Sequence, residues 1–214
     1  MKARGLAEVV ALARSRAREF LSSDERLIVL VRPTGGDGDP SERADMVVKR
    51  ATPEDASIYE RDIGTDSRST FRARLSESTT CYLVMVDDRA VHATWCTTAG
   101  ARTREIEALL IPPAGDAYVY ESYTRPEVRG RGVYPYALGQ IAADLSRHAV
   151  RHVWVAVEGS NAASLRAVAK AGFEPRFAIG YRRRWGRIEV DSDEATSPES
   201  LHLGVRRHQG DRPR

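Results

Sequence analysis

The chain has 214 residues, of which 42% are apolar and 29% are charged. This length and composition fit a globular protein with one domain and extensions, or with two small domains. The 33 basic and 30 acidic residues leave a net charge of only +3, which argues against a nucleic-acid-binding protein.

The first 44 residues predict an N-terminal helix-strand extension followed by a linker. Apolar side chains recur at helical spacing over residues 6–21, and residues 27–31 form an apolar run typical of a strand. Neither segment resembles a secretory signal or a membrane span, so we expect a cytoplasmic protein that does not enter a membrane. The apolar face of this helix is expected to pack against the main domain or against a second subunit. A homodimer is therefore possible.

The main domain is expected to span residues 45–190 and to begin with a strand at 46–49. Thr52 and Pro53 then predict the start of a helix that ends near residue 61. A second helix is expected over residues 67–77. Four strands separated by short polar turns follow at residues 80–86, 90–98, 103–111 and 117–124. Strands joined in this way indicate an antiparallel meander.

The second half of the main domain alternates helix and strand. A long helix is predicted from Val133, and residues 152–157 form a nearly continuous apolar run typical of a central strand. Asn161 caps a further helix that ends at Gly172, and a hairpin is predicted over residues 177–190. Residues 191–214 contain too few apolar side chains to fold alone and predict a flexible tail.

The loop between the predicted strand 117–124 and the long helix has the sequence TRPEVRGRGVYPY at residues 124–136. Gly130 and Gly132 allow a tight turn in which successive backbone N–H groups point at one anion. The free N–H groups and the dipole of the following helix favour the same position. Arg129 and Arg131 add positive charge. The loop therefore predicts a binding site for a pyrophosphate.

Two common phosphate-binding motifs do not fit this loop. A nucleoside triphosphate-binding P-loop requires a lysine directly after its last glycine, and none follows Gly132. A dinucleotide-binding fingerprint requires a third glycine where Pro135 stands, together with a parallel β-α-β unit. The preceding strands instead predict an antiparallel meander.

The segment PEVRGRG at residues 126–132 resembles the pyrophosphate loop of the GNAT acetyltransferase superfamily, with Glu127 at the first signature position as a departure from the pattern. A second block, NAASLRAVAKAGF at residues 161–173, resembles a later helix of that family. The resemblance covers about residues 45–190. It implies an α/β fold with a mixed, mostly antiparallel central sheet and helices on both faces, here with an N-terminal helix-strand extension.

The resemblance also implies that acetyl-coenzyme A is the co-substrate. In this family the strand before the glycine loop separates from the strand after the long helix, and the pantetheine arm enters between them. The arm is expected at Ser122, Tyr123 and Thr124 and, from the opposite side, at Asn161. The expected pyrophosphate-binding residues are Arg129, Gly130, Arg131, Gly132, Val133 and Tyr134.

An acceptor amine is protonated near neutral pH, so a general base is needed. The candidates are Glu121, a carboxylate in an otherwise apolar and aromatic strand, and Glu158 at the end of the other strand. An ion pair with a neighbouring arginine explains Glu121 equally well. Glu158 ranks second, because it also fits an exposed residue at a strand end.

The tyrosine that frequently protonates the thiolate in this family is replaced by Val168. Tyr120 is the candidate substitute, with Tyr123 and Tyr134 as alternatives. A thiol with a pKa of about 8.5 gives a tolerable leaving group, so it also stays open whether a dedicated acid is needed. Strand alternation predicts that Tyr120 shares a face with Ser122 and Thr124.

The sequence favours an enzyme, an N-acetyltransferase acting on a small-molecule amine. Acetylation of a protein N-terminus or lysine, and acyl-coenzyme A binding without turnover, remain open. No metal is expected, because the histidines and cysteines lack metal-ligand spacing. Cys81 and Cys96 are expected to face each other across a hairpin as buried free thiols.

Overall fold

A computed structural model describes residues 22–35, 43–184, 187–190 and 204–207. The predicted N-terminal helix, most of the predicted linker and most of the predicted tail lie outside these residues. The strands are β1 (Ser22–Pro33), β2 (Val47–Arg50), β3 (Thr79–Val86), β4 (Arg89–Thr97), β5 (Ala101–Thr103), β6 (Ala108–Ile111), β7 (Ala117–Thr124), β8 (His152–Glu158), β9 (Glu174–Arg184), β10 (Arg187–Val190) and β11 (Gly204–Arg207).

The main sheet has the strand order β10-β9-β1-β8-β7-β4-β3-β2. Strands β7 and β8 pair in parallel, and the other neighbouring strands of this sheet pair antiparallel. The prediction of a mixed, mostly antiparallel central sheet is therefore confirmed.

Helices cover both faces of the main sheet, as predicted. They are α1 (Ala56–Asp62), α2 (Arg68–Arg74), α3 (Val133–Arg147) and α4 (Ala162–Lys170). On one face, Ile141 of α3 and Val168 of α4 are fully buried in the same apolar cluster. On the other face, Tyr59 of α1 and Phe71 of α2 pack against Trp95 of β4.

Strand β1 lies inside the main sheet, although the sequence suggested that it belongs to an extension. It pairs with β8 from Leu27↔Glu158 to Pro33↔His152 and with β9 on its other side. Val29 at its centre is fully buried. The predicted boundary at residue 45 thus separates β1 from the sheet in which it is a central strand.

A second, three-stranded sheet has the order β11-β6-β5. The prediction of one strand over residues 103–111 is wrong, because a turn at 104–107 divides it into β5 and β6. Glu107 in that turn has a φ of 49°, which is incompatible with a continuous strand. Part of the predicted tail, β11, pairs with β6.

Candidate functional site

Strands β7 and β8 separate after a short paired segment. Their parallel pairing runs from Ala117↔Val153 to Val119↔Val155, whereas β7 remains paired with β4 as far as Thr124. Glu121 has a φ of 47° and lies where the β4 register shifts, so it forms a β-bulge. The bulge bends β7 and leaves its second half open on the side of β8.

The bulge also changes which side chains share a face. Beyond it, the Ser122 hydroxyl hydrogen-bonds the Thr94 hydroxyl, and Thr124 Oγ1 lies 2.7 Å from His92 Nδ1. Tyr120 and Tyr123 pack together against the cluster that contains Trp95. The predicted alternation, with Tyr120 on the same face as Ser122 and Thr124, is therefore wrong, because the extra residue reverses the side-chain directions after position 121.

The glycine loop follows directly on β7. Gly130 and Gly132 have φ values of 79° and 75°, and α3 begins at the next residue. Within the described part of the chain, the backbone amides of Gly130, Gly132, Val133 and Tyr134 make no hydrogen bond. A Cβ placed on Gly130 would meet no atom within 4 Å. The loop thus presents free donors around open space, an arrangement that binds anions.

Arginine side chains hold the loop from two sides. Arg129 Nε donates to the Thr124 carbonyl at 3.0 Å, which closes the turn onto the end of β7. Arg43 Nη1 donates to the Arg131 carbonyl at 2.9 Å, and Arg43 is itself paired with Asp45. Arg43 is not predictable from the sequence as a contact of the loop, because no local pattern connects two segments 88 residues apart.

A cleft of ≈ 450 Å³ lies on the opposite face of β7 from α3. Side chains of Tyr118, Tyr120 and Ala156 line it where β7 and β8 separate, and Glu121 lies at the bulge. Its other lining residues are Thr65, Asp66, Arg102, Thr103, Arg104, Glu105, Ser122 and Tyr123. The cleft therefore adjoins the opening between the two strands.

Solved structures with similar folds include a GCN5-related N-acetyltransferase from Sphaerobacter thermophilus, with a TM-score of 0.55 and 16% identity over 82% of this chain and 57% of that chain. An acetyltransferase of the GNAT family from Colwellia psychrerythraea has a TM-score of 0.53 and 15% identity over 75% and 56%. This chain has a GNAT-like fold. It spans about three fifths of the length of these structures.

No protein-family model and no curated protein sequence matches the chain. In the described residues, no helix is long and apolar enough to cross a membrane.

In this GNAT-like fold, Glu121 is bound by two arginines. Its Oε2 accepts from Arg74 Nη2 at 2.6 Å, and its Oε1 lies 3.7 Å from Arg104 Nη2. The ion pair considered in the sequence analysis is therefore present. Burial alone would lower the pKa of Arg74, but its contacts with Tyr120 and Glu121 outweigh burial and raise it.

The second candidate base, Glu158, lies outside the lining of the cleft. Its Oε1 accepts from the Tyr181 hydroxyl at 3.1 Å, and the same hydroxyl contacts Glu25 Oε2 at 2.5 Å. Burial, together with these two carboxylates, raises the pKa of Tyr181. Asn161 caps α4 as predicted, because its Oδ1 accepts from the Ser164 amide.

Tyr120 and Tyr134 remain protonated at neutral pH. Burial raises the pKa of Tyr120, although its hydrogen bond with Arg74 opposes the shift. Burial likewise raises the pKa of Tyr134, against a hydrogen bond with Ser122. Both hydroxyls are therefore hydrogen-bond donors rather than phenolates.

His92 of β4 contacts the end of β7 on the side of α3. Its ring is buried, lies 5.3 Å from the Tyr134 ring, and bonds Thr124 through Nδ1. Burial lowers the pKa of His92 to about 3, so the imidazole is neutral at physiological pH. No sequence pattern predicts this contact of His92.

Among the described residues, no group of three or more His, Cys, Asp and Glu side chains could hold a metal ion. Cys81 and Cys96 are buried free thiols, as predicted. They do not face each other, because Cys81 pairs with Trp95, and Cys96 pairs with Thr80. This register follows from a turn at residues 87–88 together with a one-residue shift between Val84 and Met85.

Proposed function

We propose that this protein transfers an acetyl or other short acyl group from coenzyme A to the primary amine of a small molecule. One observation supports this most strongly: β7 leaves β8 beyond Val119 and then runs into a turn with four free amides. An extended arm with a diphosphate at one end fits such a surface, because the opening offers unpaired strand groups and the turn offers anion-binding donors.

The donor set fits coenzyme A. Backbone groups of Ser122 and Tyr123 are proposed to hold the pantetheine arm, and Asn161 is proposed to approach it from the opposite side. Thr124 is proposed to contribute through its amide, because its carbonyl already accepts from Arg129. The diphosphate is proposed to bind the four free amides of Gly130, Gly132, Val133 and Tyr134, with Arg129 and Arg131 adding charge. When bound, the co-substrate supplies an activated acyl thioester.

Glu121 is proposed as the general base. Transfer forms a nitrogen–carbon bond and breaks a carbon–sulfur bond, so one proton must leave the nitrogen and one must reach the sulfur. Glu121 lines the cleft, and its Oε2 is fixed by Arg74, whereas its Oε1 has only a longer contact, 3.7 Å from Arg104 Nη2. Oε1 is thus the atom proposed to receive the proton, directly or through a water molecule.

Tyr120 is proposed to protonate the leaving sulfur. Its raised pKa keeps the hydroxyl protonated, and its side chain lies in the cleft where β7 and β8 separate. Tyr134 remains the alternative on the helix side of the strand. Glu158 is the second candidate base, although Tyr181 already donates to it.

The volume of the cleft favours a small acceptor over a protein N-terminus or lysine, which would need an open groove. Binding without turnover is the other alternative. Calorimetry with coenzyme A and acetyl-coenzyme A should detect binding, and a panel of amines should release free thiol from the thioester. Absence of binding at millimolar concentrations would overturn the proposal, whereas binding without thiol release from any amine would favour a non-catalytic module.

A further inference from the structure

The cleft presents both signs of charge. Arg102 and Arg104 come from β5 and the turn that follows it, and Glu121 comes from the bulge in β7. Asp66 also lines the cleft but is already paired with Arg74 at 2.6 Å. Glu105 adds a second carboxylate. The two arginines therefore stand beside Glu105 and beside Oε1 of Glu121, whose other oxygen is held by Arg74. This arrangement suits a ligand that carries both charges rather than a polycation.

Arg102 is the clearest sign of an anionic ligand. It lines the cleft, and its side chain makes no ion pair or hydrogen bond within the described segments. Arginine recognises carboxylates and phosphates with a planar set of donors. A cation without a partner at the edge of a substrate-sized cleft is thus available to such a group.

The contact between Arg104 and Glu121 is replaceable. Their atoms are 3.7 Å apart, and the Arg104 side chain is 84% exposed, whereas Arg74 holds the other carboxylate oxygen at 2.6 Å and is 22% exposed. An exposed ion pair contributes little to stability, so a ligand with better geometry displaces it. An ammonium could then take Glu121 Oε1 while a neighbouring carboxylate takes Arg104.

We infer that the acceptor is an amino acid, whose ammonium binds Glu121 and whose carboxylate binds Arg104 and Arg102. The ammonium and the carboxylate of an amino acid are attached to one carbon. They therefore fit Glu121 and Arg104, whose charged atoms lie 3.7 Å apart. Tyr118, Tyr120 and Ala156 provide a less polar wall for an apolar side chain. This inference rests on the proposed acyl transfer and names its acceptor.

The test compares four acceptors in the thiol-release assay: L-leucine, L-leucinamide, 3-methylbutylamine and the aminophosphonate analogue of leucine. We expect kcat/KM for L-leucine to exceed that for the amide and the alkylamine by at least about tenfold, the effect of one charge-assisted contact. Similar values for these three amines would overturn the inference. A tenfold preference for the aminophosphonate would overturn the assignment of a carboxylate.

Variants test the two arginines directly. Replacing both, Arg102→Ala with Arg104→Ala, should raise KM for L-leucine at least about tenfold and bring the ratio of L-leucine to alkylamine activity close to one. Arg147→Ala, on an exposed arginine of α3, should keep the wild-type ratio. An unchanged ratio in the double variant would overturn the inference.

Calorimetry with L-leucine separates this inference from the proposed function. If the protein binds L-leucine but not coenzyme A, the proposed acyl transfer is rejected and the assignment of the cleft is kept. Coenzyme A binding and transfer to alkylamines, without any L-leucine binding, would reject the amino-acid acceptor and keep the acyl transfer.

Discussion

Arg74 Nη2 donates to Glu121 Oε2 at 2.6 Å, and the same guanidinium lies 3.9 Å from the centre of the Trp95 ring. Its other nitrogen, Nη1, contacts Asp66 Oδ2 at 2.6 Å. Arg74 is the last residue of α2, so this one side chain joins that helix to β4 and to the bulge of β7. The position of Glu121 in the cleft consequently depends on α2.

Arg74→Ala should lower the free energy of unfolding by about 1–3 kcal/mol, because it removes a cation–π contact and leaves two carboxylates without their partner. Urea denaturation measures this change. The matched control is Arg68→Ala, which removes the exposed pair with Glu60 and should cost less than about 1 kcal/mol. Equal losses in the two variants would contradict the bridging role of Arg74.

Glu121→Gln should reduce kcat about 10²–10⁴-fold with an unchanged Kd for acetyl-coenzyme A, because the amide cannot accept the proton. Stopped thiol-release assays and calorimetry measure the two quantities. Glu158→Gln serves as the control and should retain most of the activity, since its carboxylate is engaged by Tyr181. If kcat fell further in the Glu158 variant than in the Glu121 variant, Glu158 would be the general base instead of Glu121.

Gly130→Ala should weaken coenzyme A binding at least about tenfold and lower stability by about 1 kcal/mol. The stability change comes from its φ of 79°, and the binding change from a methyl group placed in the open space of the loop. Gly172→Ala has a nearly identical φ of 80° at the end of α4 and should lose stability without losing affinity. Equal affinities in the two variants would argue against an anion at the loop.

His92 should make stability fall as the pH is lowered. Its folded-state pKa of about 3 lies below the ordinary value, so the unfolded chain binds the extra proton first. The contribution is complete above about pH 6.5 and is lost progressively towards pH 3, which amounts to about 2 kcal/mol between pH 7 and 5. His92→Gln should lack this part of the pH dependence, whereas His148→Gln, on an exposed histidine, should retain it.

Val29→Ala should destabilise the protein by about 2 kcal/mol, because Val29 is fully buried at the centre of β1. Val47→Ala makes the same change on β2, where the side chain is 64% exposed, and should cost less than about 0.5 kcal/mol. Thermal and urea unfolding measure both variants. A negligible effect at Val29 would contradict the place of β1 inside the sheet.

The elements with strong local signals agree with the sequence prediction. Thr52 and Pro53 begin a short 3₁₀ turn that leads into α1, Ser67 caps α2, and Asn161 caps α4. Gly130 and Gly132 adopt the positive φ values that their role in the turn required. These features depend on residues within one turn of chain, so composition and spacing are sufficient to predict them.

The features that sequence reasoning missed depend on long-range pairing. Simple alternation along β7 gave the wrong faces for Ser122 and Thr124, since the bulge at Glu121 exists only where β7 meets β4. The partners of Glu121 and Arg131 lie 47 and 88 residues away, at Arg74 and Arg43. No local pattern connects such residues.

The amino-acid sequence by itself determined the type of most elements, the glycine turn and the helix that follows it, because backbone preferences and capping act over a few residues. Tertiary structure alone decided that β1 stands between β8 and β9, that the bulge turns Ser122 towards Tyr134, and that charges of both signs meet in one cleft. Strand order and side-chain pairing depend on which distant segments bury the same apolar surface together. Such long-range contacts leave no pattern within a few residues of sequence.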